Sequence, residues 1–100
     1  MSNATLVTPR GEFAPGNLNY HLAEAVRWLI RREDQQQNHV AIASGMGPEE
    51  LSELMTGKEV FTVEDVVALS RALDLEGATL LALAFAFRDG QDPETVIGES

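Results

Sequence analysis

The chain has 100 residues, 44% of them hydrophobic, no cysteine, and 16 acidic against seven basic side chains, for a formal charge of −9. That length makes one domain with one modest core, and the missing thiols exclude a disulfide framework and a thiolate metal site, which fits a reducing, cytoplasmic setting. A charge of this sign repels a nucleic-acid backbone at long range, so any use of DNA has to come from the local distribution of charge.

Residues 1–17 contain Pro9, Gly11, Pro15 and Gly16 and show no helical period, so they read as a flexible N-terminal arm. They lack the basic-then-apolar order of a signal peptide. A first helix is predicted over residues 18–32, because Leu22, Ala25, Val26, Leu29 and Ile30 repeat at the spacing of a core-facing stripe. Arg27, Arg31 and Arg32 gather near its C-terminal end, where the helix dipole favours cations. On a solvated-face reading, Arg31, Arg32 and Lys58 pair with Glu24, Glu33 or Asp34, and Arg27 is spaced for such a pair with Glu24. Trp28 is expected at the edge of the core, with its N–H in water.

A second, short helix is predicted over residues 36–44, burying Val40 and Ala43, with Gly45 as its left-handed cap. The third helix has an explicit start. Pro48 suits the first helical position, where its missing N–H costs nothing, and Glu49 and Glu50 complement the positive end of the dipole. Leu51, Leu54 and Met55 form its inward stripe, and Gly57 ends it.

Thr62 is the expected cap of a fourth helix, boxed with Asp65 and stapled by Phe61. Val63, Val66, Val67, Leu69, Ala72 and Leu73 would give that helix a wide buried face. Gly77 breaks the chain before a fifth helix over residues 78–88. The apolar run 78–87 inside it is well short of the roughly 18 residues of a membrane span. Leu80, Leu81, Leu83, Ala84, Phe85 and Phe87 leave this helix apolar on every side, so part of its surface needs cover from another chain. A two-fold dimer through the fifth helix, with Leu81, Phe85 and Phe87 as anchors, accounts for it; the alternative is a monomer in which the first and fourth helices cover it fully. Residues 91–100 read as an acidic, fraying C-terminal tail around Pro93. The expected fold class is therefore all-α with five helices, a helix-turn-helix domain over residues 18–90 whose fifth helix dimerises.

No catalytic constellation stands out. His21 and His39 lie apart without a partner pattern, and there is no phosphate-cradling glycine loop, so neither an enzyme, a metal nor a cofactor is implied.

Several motifs occur in order between residues 36 and 75. A glutamine start (Gln36, Gln37) precedes the Val40-Ala41 pair and the Gly45-Met46-Gly47 turn. Leu51 and Leu54 then anchor a helix closed by Gly57-Lys58, and a leucine-rich helix ends in Asp74-Leu75. Without gaps, this order resembles the Cro/C1 (XRE) family of helix-turn-helix regulators, the fold of the phage repressors. The resemblance implies a dimeric DNA-binding regulator that reads half-sites about one helical turn apart, with its third helix in the major groove. Carried over residue by residue, it places Gln37, Glu49, Glu50, Ser52 and Glu53 toward base edges. Gln36, Arg31, Arg32 and Lys58 fall toward phosphates.

The chain departs from the family pattern at Met55-Thr56, where a glutamate is common, and at Phe61, where a proline is common. The exposed recognition positions hold Glu49, Glu50, Ser52 and Glu53 in place of neutral or basic residues. Residues 36–59 carry one base, Lys58, against Glu49, Glu50, Glu53 and Glu59, a local charge of −3. Glutamate can accept from cytosine N4, but phosphate attraction supplies most non-specific affinity. A second reading therefore stays open: an acidic protein-interaction module on the same scaffold that binds a basic or DNA-binding partner, its acids mimicking phosphate.

Overall fold

A computed structural model describes residues 17–97. They form helices throughout, in the order α1 (Leu18–Arg32), α2 (Gln37–Ala43), α3 (Pro48–Thr56), α4 (Val63–Ala72), α5 (Gly77–Asp89) and α6 (Glu94–Ile97). The fold is all-α. The expected arm lies outside the described residues except for Asn17, which is the cap of α1: its Oδ1 accepts from the Asn19 N–H at 2.7 Å.

One core joins the helices. α1 packs most extensively on α5, α5 also takes α4 and α6, and α2 lies against α3 and α4. Val26, Leu29, Val40, Leu51, Leu69, Leu80 and Leu83 are fully enclosed. The one hydroxyl buried among them, on Ser70, donates back to the Val66 carbonyl at 2.6 Å, which satisfies it inside its own helix.

The five longer helices end alike. A residue with a left-handed backbone donates to the carbonyl three positions back, and the next residue donates to the carbonyl five positions back. Glycine holds the left-handed position after α2, α3 and α5 (Gly45, Gly57 and Gly90), but Asp34 and Asp74 hold it after α1 and α4, with φ of 56° and 64°. Aspartate is among the few side chains that tolerate this region.

Four expectations need correction. Ala43 is exposed and Ala41 is buried in its place, beside Val40, where the Met46 N–H bonds the Ala41 carbonyl as α2 closes. Val63 and Val67 are 80% and 40% exposed, so α4 buries only the narrower stripe of Val66, Leu69, Ser70 and Leu73. Glu24 does not meet Arg27 or Arg31: His21 Nδ1, one turn earlier, lies 2.7 Å from its carboxylate. Arg27 donates instead to the Met55 carbonyl at 3.3 Å, serving the C-terminal end of α3, which has no base of its own there.

The fourth correction concerns the expected fraying tail over residues 91–97; residues 98–100 of it lie outside the described residues. Pro93 introduces α6, whose Val96 and Ile97 pack on the core. The Arg32 guanidinium reaches Glu94 at 3.0 and 3.2 Å, so the acidic tail is tied to α1.

Candidate nucleic-acid interface

α2 and α3 are joined by four residues whose roles differ. Ser44 returns its hydroxyl to the Val40 and Ala41 carbonyls, and Gly45 makes the left-handed turn at φ 80°. Met46 is buried, and Gly47 is extended as the chain enters α3. An ideal Cβ on Gly45 would meet nothing within 4 Å, so backbone conformation alone calls for glycine there. Gly47 donates to Glu50 Oε1 at 3.4 Å, half of a capping box, since glycine has no side chain to complete the other half.

Burial of Leu51, Leu54 and Met55 turns the opposite face of α3 outward, with Glu49, Glu50, Ser52, Glu53 and Thr56 all exposed. Thr56 is occupied locally, its hydroxyl donating to the Ser52 carbonyl at 2.9 Å. Among the described residues no ion pair involves Glu49, Glu50, Glu53, Arg31 or Lys58. Gln36 is exposed at the cap position of α2 without using its side chain there, and Gln37 is half-buried beside it.

Arg32 differs from the other two bases. Its guanidinium bonds Glu94 and Glu33 and lies 5.5 Å from the centre of the Trp28 ring. The Glu94 hydrogen bond, opposed by desolvation, raises its pKa above the ordinary guanidinium value, with further help from the Glu94 charge and from the Glu33 hydrogen bond and charge. Arg32 thus meets any phosphate already paired with acids, whereas Arg31 and Lys58 are open.

The connection after α3 brings more acid to the same place, a convergence that sequence spacing does not reveal. Glu50, Glu53, Glu59 and Asp65 line a depression of about 360 Å³ with Leu54, Val60 and Thr62. The Thr62–Asp65 box, readable in the sequence, is the signal that could have placed Asp65 here: Asp65 Oδ2 accepts from the Thr62 N–H at 2.9 Å.

Of the three proposed dimer anchors, Leu81 and Phe85 are 36% and 40% exposed and lie one turn apart on α5. Arg88 covers part of the Phe85 ring at 4.8 Å. Phe87 is half-buried and makes an edge contact with Trp28 at 6.2 Å, as the core-edge placement of that tryptophan requires.

Among the described residues, no helix is long and apolar enough to cross a membrane, and no group of three or more His, Cys, Asp or Glu side chains could hold a metal. No family model matches the chain, and no curated protein matches it. Two solved structures do. A crystal structure of the clp gene regulator ClgR from Corynebacterium glutamicum superposes with a TM-score of 0.65 at 27% identity, over 70% of this chain and 91% of that one. A second crystal structure of ClgR gives 0.67 at 26% identity, over 72% and 77%.

Proposed function

We propose that the protein is a DNA-binding transcriptional regulator of the Cro/C1 type, acting as a dimer with α3 in the major groove. The observation that carries this reading is the α2–Gly45–α3 unit, with its inner face anchored by Leu51 and Leu54 and its outer face free of packing. The likeness to ClgR, a clp gene regulator, over most of that protein's length supports it. Glu49, Glu50, Ser52 and Glu53 would meet base edges with Gln37, and Gln36, Arg31 and Lys58 would meet phosphates. Arg32 would join them only by giving up Glu94. Residues 18–90 form the DNA-binding unit, and Leu81 and Phe85 are the anchors of an α5-to-α5 contact, with Phe87 buttressing them from behind.

With so few free bases, affinity should fall only gently as salt rises. A fluorescence-anisotropy titration at low salt, with DNA from the gene's own promoter beside a random duplex, tests the reading. Saturable preference for the promoter sustains it, and Glu49→Gln or Glu50→Gln then shifts the preferred sequence.

The depression ringed by Glu50, Glu53, Glu59 and Asp65 favours the second reading, an acidic module for a basic or DNA-binding protein partner. Absence of binding to either duplex at micromolar protein, with retention of a basic partner that Glu50→Gln and Glu53→Gln release, would select it.

A further inference from the structure

The first turns of α1, α4 and α5 enclose an apolar groove of about 460 Å³, with Leu18, Leu22, Phe61, Val63, Val67 and Leu81 among its walls. Its rim is fixed. Asn19 Oδ1 accepts from the Phe61 N–H at 2.8 Å, holding the start of α1 against the chain that leads into α4. Val63 stands on this rim 80% exposed, in the first turn of a helix whose start the Thr62–Asp65 box already satisfies. Val67, one turn on, and Leu81 across the groove are also left partly in water. The domain's own packing therefore leaves a continuous apolar trough unfilled, and burying such side chains is worth about 25 cal/mol per Å².

Sixteen residues precede Asn17, and the chain enters α1 at this same rim, since Leu18 is itself a wall of the groove. We propose that the groove is filled by the chain's own N-terminal segment, with Phe13 as its anchor. Phe13 lies four residues before Asn17, so even a fully extended chain keeps it within about 14 Å of the rim. Pro15 and Gly16 lie between them and permit a reversal of direction. A buried phenylalanine covers roughly 150–250 Å², which suits the trough between Val63, Val67 and Leu81. A short tether also gives the segment an effective concentration in about the millimolar range, so it outcompetes a second copy of the chain at micromolar protein. The proposal is independent of DNA binding, but it takes Leu81 from the α5-to-α5 contact proposed above and leaves Phe85, further along α5, as the anchor of that contact.

The test uses the full chain with Val and Leu methyl groups labelled, mixed with unlabelled chain so that contacts within and between molecules are told apart. The expected result is a set of intramolecular nuclear Overhauser effects from the Phe13 ring to the Val63, Val67 and Leu81 methyls. Upfield ring-current shifts of those methyls should disappear in Phe13→Ala. Val63→Asp, at an exposed helix start where an acid is well placed, should erase the same contacts without unfolding the domain. Methyl shifts unchanged by Phe13→Ala, with no contact to its ring, overturn the proposal. So do contacts found only between differently labelled chains, which would make the groove an interface between copies.

Discussion

Helices α3 and α5 both bury leucines completely, Leu51 in one and Leu80 and Leu83 in the other, yet they turn opposite chemistries outward. α3 shows solvent three carboxylates and two hydroxyls, whereas α5, ahead of the Arg88-Asp89 pair at its end, shows it Ala78, Leu81, Ala82 and Phe85. The difference lies in what each outer face requires. A charged exterior on a helix with one apolar stripe is complete in water, so α3 needs no partner to be stable. Any partner it has is set by chemistry at its surface. An apolar exterior is incomplete in water, so α5 calls for cover whatever the function.

The inner faces should be the costliest to change. Leu80→Ala and Leu51→Ala should each lose about 2–5 kcal/mol in chemical denaturation, whereas Leu81→Ala, one position along α5, should lose under about 1 kcal/mol. A large loss at Leu81 would erase the distinction between the two sides of α5. Next comes the turn that sets the direction of α3. Gly45→Ala forces a side chain into φ 80° and should cost about 1–2 kcal/mol, read in the same assay.

The outer faces should respond in function and hardly at all in stability. Phe85→Glu should abolish self-association in sedimentation equilibrium while the monomer's unfolding free energy stays within about 0.5 kcal/mol. An unchanged mass would move the dimer away from α5. The smallest effect is expected at the closing residue of α1. Asp34→Gly relieves a left-handed aspartate and should raise stability by about 0.5 kcal/mol, the relief being partly offset by glycine's greater freedom when unfolded.

The same contrast explains what could be read in the sequence. α3 was legible to the residue at both ends because Pro48, the Glu49-Glu50 start, the leucine spacing and Gly57 all agree. In α5 the apolar residues have no period, so Phe87 could not be told from Phe85. Only the position of Trp28 on a neighbouring helix makes one ring internal and the other external. The tail was misread for a related reason. Acidic and polar composition suggested fraying, but Arg32, far away in sequence, gives Glu94 a counter-charge, and the core accepts Val96 and Ile97. Arg27 was misassigned because local spacing pointed to Glu24, whereas a carbonyl on another helix was the group in need. On α3 the candidate site's acids were visible one by one. Their convergence with Glu59 and Asp65 depends on how the chain folds back after Gly57.

The recurrent closure of α1 to α5 has a consequence for how this molecule can change. Each corner of the domain is made by main-chain groups bonding to main-chain groups, with a single position per corner that must accept an unusual twist. The architecture is thus punctuated at residues 34, 45, 57, 74 and 90, and the text between these marks is constrained only where it faces inward. The outward residues of α3 can be rewritten, acid for base or polar for apolar, without disturbing a corner. A scaffold built this way can exchange one target for another by surface substitution alone.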